Sequence, residues 1–131
     1  MQGAEYVRFQ NLKFTGARHG LAGDGTSSKY LRGIEILGCE AMTNGMYGLN
    51  FNYTSNLLVS ACWLHHNSHY GANLGGAAQS TITSNTIAYN YFRYGLYVDS
   101  SGLVRGNLCY SNLGEGLAVA GAFLVSENNS W

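Results

Sequence analysis

The sequence predicts an all-β solenoid of about five stacked coils, and three observations predict it. A short pattern recurs five times, at Gly16–Leu21, Asn44–Leu49, Asn67–Ala72, Asn90–Leu96 and Asn112–Leu117. Its closing glycines, Gly20, Gly48, Gly71, Gly95 and Gly116, lie 28, 23, 24 and 21 residues apart. Apolar residues alternate after each glycine, and no stretch carries a helical stripe of useful length.

Each element follows from that alignment. Leu21–Gly23, Leu49–Phe51, Ala72–Leu74, Leu96–Val98 and Leu117–Val119 alternate with period two, as short half-buried strands do. A second strand falls around Ile34–Ile36, Leu57–Val59, Ile82 and Leu103–Val104. A third falls near Leu12–Phe14, Trp63–Leu64, Ile87 and Leu108–Cys109. One such unit cannot bury its own apolar face, so successive coils must stack, each strand pairing in parallel with its copies. At about 4.8 Å per coil the stack is about 24 Å tall.

The asparagines have a predicted structural job. A turn Asn tolerates left-handed dihedrals and bonds neighbouring backbone. Asn44, Asn67, Asn90 and Asn112 are predicted to form one ladder, ended by Gly16. Asn11, Asn85, Asn107 and Asn128 are predicted to form part of a second. Cys39 and Cys62 occupy one place in successive repeats, either as small buried apolar residues or as a pair near enough to bridge. With Cys109 the count is three, which matches no zinc spacing and argues against a disulfide framework. The segment Gly23–Gly33 is longer than its counterparts and predicts a protruding loop, either a binding loop or a tolerated insertion.

Composition narrows the function classes. The chain has 131 residues, a formal net charge of zero and only 11% charged residues. No basic patch marks a nucleic-acid binder, and no apolar run is long enough for a membrane span. No signal peptide is visible in the chain. The expectation is a single domain over residues 1–131, a fragment or truncated module of a longer solenoid, with ends that no helix caps. Uncapped coils predict end-to-end homo-oligomerisation. No motif requires a cofactor.

Stretches such as Asn85–Asn90 followed by Tyr94–Val98 resemble the right-handed parallel β-helix repeat family, the pectate-lyase-like superfamily. The repeats look most like those of bacterial mannuronan epimerases and related polysaccharide-processing β-helices, and the resemblance spans Glu5 to Asn128. It implies a right-handed parallel β-helix, an extracellular or periplasmic setting, and work on polysaccharides, often acidic and often with calcium. The epimerase active-site motif Tyr-Gly-Phe-Asp-Pro-His has only partial counterparts here, at Tyr47–Asn50, Tyr70–Asn73 and Tyr94–Tyr97. None supplies the Asp, Pro or His, so those catalytic roles do not transfer.

Three columns are candidates for chemistry. The outward column after the glycine is Ala22, Asn50, Asn73, Tyr97 and Ala118, whose amides and phenol suit sugar hydroxyls and a sugar face. Two residues before the glycine stand Arg18, Met46, His69, Arg93 and Gly114; four after it stand Asp24, Asn52, Gly75, Asp99 and Ala120. Side by side they predict a groove for an acidic glycan, with Asn50, Asn73, Tyr97, Arg18 and Arg93 as ligand-binding candidates. The alternative is an ordinary solvated face. Acting on a uronate needs a neutralised carboxylate, a base and a proton donor, for which His69, Arg93, Tyr97 and Asp99 are the candidates. Asp24 and Asp99 are predicted three coils apart, about 14 Å, too far to share a calcium ion. His65 and His66 are predicted to face opposite sides of a strand, so with His69 they make no metal site. Tyr47, Tyr70 and Tyr94, flanked by His19 and Glu115, predict a ring ladder or a sugar platform. Two functions remain open: a polysaccharide-binding or polysaccharide-processing surface module, and an inert scaffold such as an adhesin stalk, a tail-fibre segment or an excised or engineered solenoid.

Overall fold

The corners of each coil are made by one residue in the left-handed region followed by one residue that points inward. Gly16, Thr43, His66, Tyr89 and Ser111 have φ between 51° and 71°. Asn11, Gly38, Ala61, Ser84, Gly106 and Glu127 do the same at the next corner, with φ between 53° and 63°. Most are not glycine, and each such residue costs about 1–2 kcal/mol. The hydrogen bonds of the inward residue that follows offset this cost.

The computed structural model describes residues 5–130; Met1 and Trp131, the bounds of the predicted domain, lie outside the described residues. In chain order the strands are β1 (Glu5–Gln10), β2 (Lys13–Thr15), β3 (Leu21–Asp24), β4 (Leu31–Leu37), β5 (Glu40–Met42), β6 (Leu49–Asn52), β7 (Thr54–Ser55) and β8 (Leu58–Ser60). They continue as β9 (Trp63–His65), β10 (Ala72–Thr83), β11 (Thr86–Ala88), β12 (Tyr94–Arg105), β13 (Leu108–Tyr110), β14 (Glu115–Ser126) and β15 (Asn129–Ser130). Every pairing between them is parallel and joins one coil to the next. The molecule is therefore a parallel β-solenoid of about five turns, as the repeats predict. In the later coils the first and second predicted strands merge, giving the three 12-residue strands β10, β12 and β14.

Alternation points one apolar set from each side into the axis. Leu49, Ala72 and Leu96 come from the first side, Ile36, Val59, Ile82 and Val104 from the second, and Ala41, Leu64, Ile87 and Cys109 from the third. All are at most 1% exposed, so the axis is a continuous apolar core.

The first asparagine ladder is as predicted from Asn44 to Asn112. Each side-chain amide donates to the next carbonyl oxygen, at 2.9 Å for Asn44 to Asn67, 3.0 Å for Asn67 to Asn90 and 2.9 Å for Asn90 to Asn112. Its first rung differs from expectation. Ala17, not Gly16, holds the ladder position, since the Ala17 amide donates to Asn44 Oδ1 at 3.2 Å. Gly16 is the left-handed residue before it. The second ladder runs Asn85, Asn107, Asn128, with both steps at 2.9 Å. Asn11 is corrected in the same way: it aligns with Gly38 and is itself the left-handed corner residue.

Cys39 and Cys62 extend this second ladder downward as free thiols. Asn85 Nδ2 donates to the Val59 carbonyl at 3.0 Å; Cys62 Sγ makes the equivalent donation to Ile36 at 3.4 Å, and Cys39 Sγ to Phe9 at 3.6 Å. The thiols thus take the place of the amides as shorter side chains and weaker donors. Burial pushes the Cys62 thiol up to about 11 and the Cys109 thiol up to about 12. A thiolate-specific disulfide reagent at mildly alkaline pH is expected to leave all three cysteines unlabelled until denaturant unfolds the chain; immediate labelling of the native protein would contradict this packing.

The Gly23–Gly33 segment is tighter than predicted. Most of it belongs to β3, β4 and a reversal in which Thr26 and Lys29 exchange backbone hydrogen bonds at 2.9 and 3.0 Å.

Candidate functional site

The first side of the solenoid carries the predicted outward column. Register places Ala22, Asn50, Asn73, Tyr97 and Ala118 in one row across the coils. Asn73 Nδ2 donates to Asn50 Oδ1 at 2.8 Å, so Asn50 supports Asn73 from below. In the neighbouring row Asn52 Nδ2 donates to Asp24 Oδ1 at 2.7 Å. Above Asn52 the register between β10 and β12 shifts after Leu74, because Gly75 and Gly76 together span what Asp99 alone spans. Gly76 adopts φ 61°, the left-handed conformation that favours glycine in such a bulge. The bulge opens a cleft of about 330 Å³ lined by Asn52, Tyr53, Asn73, Gly76, Tyr97 and Asp99.

The tyrosine column forms the adjoining wall. Ring centroids are 5.2 Å apart for His19 and Tyr47, 5.1 Å for Tyr47 and Tyr70, and 5.2 Å for Tyr70 and Tyr94. Tyr97 stacks on Tyr94 at 5.6 Å, carrying the aromatic surface round into the outward column. The Arg93 guanidinium lies over the Tyr94 ring, 5.1 Å from its centroid, a cation–π arrangement. Tyr70, Asn73, Arg93, Tyr94 and Tyr97 line a second cleft of about 290 Å³. The two clefts share Asn73 and Tyr97 and so adjoin, Arg93 lining one and Asp99 the other. Burial, then the neighbouring Tyr47, raises the pKa of the Tyr70 hydroxyl; burial, then Arg18, lowers that of His19.

The structure therefore places Asn73 and Tyr97 in both clefts, with Arg93 in one and Asp99 in the other. The His69 ring packs edge-on against Tyr47 at 5.7 Å and lies tilted against Phe92 at 4.6 Å. Phe92 belongs to the copy that is one residue longer than the others. Arg18 is also separate, its Nε donating to Met46 Sδ at 3.1 Å. Sequence reading missed the Gly75–Gly76 bulge and Tyr53; the paired glycines were the available signal.

His65 and His66 differ from expectation. They lie on one side, with Nδ1 atoms 2.7 Å apart. Zinc needs about 2.0–2.1 Å to each nitrogen, so this spacing fits a shared proton better than a shared ion. Among the described residues no group of three His, Cys, Asp or Glu side chains is arranged to hold a metal.

No curated protein and no solved structure matches the chain. The family model described as a right handed beta helix region matches residues 1–130, and the chain belongs to that family.

Proposed function

We propose that the chain is a glycan-binding β-helix module whose groove takes an acidic polysaccharide. The observation that carries this reading is the Arg93 guanidinium seated on Tyr94 in a cleft that half-buried Tyr70 and Tyr97 and the Asn73 side chain also line. A cation answers a uronate carboxylate, aromatic faces answer sugar C–H faces, and an amide answers hydroxyls. Asp99 at the far end of the groove fits a hydroxyl of the next sugar rather than its carboxylate. The reading is binding rather than turnover because His69, the imidazole among the catalytic candidates, packs against Tyr47 and Phe92.

Affinity electrophoresis in gels cast with alginate, polygalacturonate or a neutral glucan tests it. Retardation is expected in the acidic polymers alone. Arg93→Ala is expected to weaken it about tenfold, the loss of one charge-assisted hydrogen bond worth about 1.5 kcal/mol. Its thermal unfolding should be unchanged because Arg93 is exposed. Mobility unaffected by either acidic polymer would sink the proposal.

A further inference from the structure

Three groups from two adjacent coils form a hydrogen-bonded chain on the third side, away from the groove. Glu40 in β5 and His65 in β9 meet through Glu40 Oε1 and His65 Nε2 at 3.0 Å. His65 Nδ1 meets His66 Nδ1 at 2.7 Å. His65 is only 4% exposed, and Trp63 stacks over it with ring centroids 3.9 Å apart. The outer ring, His66, stacks on Tyr89 at 5.1 Å and meets Tyr91 edge-on at 6.1 Å. Tyr89 in turn contacts Tyr110 at 5.5 Å. From β2, Lys13 Nζ lies 3.1 Å from Glu40 Oε2. Among the described residues these are the titratable and charged groups around the pair.

Proton positions follow from the contacts. The His65 and Lys13 hydrogen bonds lower the pKa of Glu40, which keeps it an acceptor. His65 Nε2 must therefore carry a hydrogen and donate to Glu40. A neutral His65 then has a bare Nδ1, so His66 must donate to it from Nδ1–H. His66 Nε2 is left as the free acceptor of the pair.

We propose that Glu40, His65 and His66 form a proton relay that clamps adjacent coils and opens when the histidine pair takes a second added proton. The first added proton comes from solvent and binds His66 Nε2; every hydrogen bond in the chain survives, because His66 still donates from Nδ1. Within the histidine pair the second has only His65 Nδ1 to bind. Two N–H groups on two cationic rings then face each other, and His66 swings away from His65.

Nitrogen–proton long-range NMR correlation on the full chain, with the imidazoles labelled, tests this. At mildly alkaline pH His66 is expected in the Nδ1–H tautomer and His65 in the Nε2–H tautomer. On acidification the hydrogen-bonded His66 Nδ1–H signal should persist through the first protonation step and vanish at the second. Glu40→Leu should return both rings to averaged tautomers, whereas Lys13→Met should leave them fixed. An Nε2–H tautomer at His66 would overturn the relay, as would loss of the Nδ1–H signal at the first step. Both can be read in the unmodified protein if Glu40→Leu does not fold.

Discussion

Asn67→Leu is expected to destabilise the chain by about 4 kcal/mol, among the largest effects of any single substitution in it. Asn67 is fully buried at the centre of the first ladder. Its amide donates to Asn90 Oδ1 at 3.0 Å and to the Ala41 carbonyl at 3.1 Å. Its carbonyl oxygen accepts from the Asn44 backbone amide at 3.2 Å and from Asn44 Nδ2 at 2.9 Å. Leucine has a similar volume but makes none of these bonds, so two donors and two acceptors lose a partner in a dry interior. Each unsatisfied buried group costs about 1–3 kcal/mol, partly recovered where a second partner remains. Asn112, half-buried at the outer end of the ladder, is the internal comparison, since only its amide-to-Ile87 bond and its acceptance from Asn90 are at stake. Urea unfolding should place Asn67→Leu well below Asn112→Leu in midpoint with little change in slope. Equal midpoints would mean that the ladder contributes no more at its centre than at its edge.

What the sequence made legible is what the fold repeats in kind. The Asn–Gly spacing recurs because one side chain and one missing side chain meet at the same point of successive coils. The apolar alternation recurs because the axis is dry. What stayed hidden is what the fold repeats in shape only. The left-handed corner is occupied by Gly16, Thr43, His66, Tyr89 and Ser111, residues that share no chemistry. That corner was therefore invisible, and Gly16 and Asn11 were each placed one position from their true roles. The same corner explains His66. Strand alternation sends neighbouring side chains to opposite faces, but β9 ends at His65. The φ of 54° at His66 turns its ring back onto the side of His65. Glu40, 25 residues away in sequence, joins them only through the coil register.

The groove shows the same division. Its outward column could be counted from the glycine, so Asn73 and Tyr97 were legible. The cleft beside it arises from the two-for-one register at Gly75 and Gly76, which no single repeat reveals. The contact of His69 with Phe92 likewise comes from a different coil, the copy with one added residue.

Gly48→Ala is the second substitution with a large expected effect, about 3 kcal/mol from forced overpacking. No left-handed backbone is involved; the constraint is space. A Cβ at Gly48 would stand 2.5 Å from the Gly71 carbonyl oxygen and 2.9 Å from Asn67 Nδ2. Gly20 meets the same pair one coil earlier, with Gly48 O at 2.6 Å and Asn44 Nδ2 at 2.8 Å, and Gly95 meets Asn112 Nδ2 at 2.5 Å. The ladder amide and the bare glycine are thus two halves of one packing unit, and their common recurrence has a single cause. The unit predicts non-additivity. In Gly48→Ala combined with Asn67→Ala, the second change removes one of the two close contacts of the new methyl. The double variant should therefore be less unstable than the sum of the two single ones. The Gly71 carbonyl is backbone and cannot leave, so the recovery should be partial. Urea unfolding of the four proteins measures the coupling; strict additivity would show that glycine and asparagine recur for independent reasons.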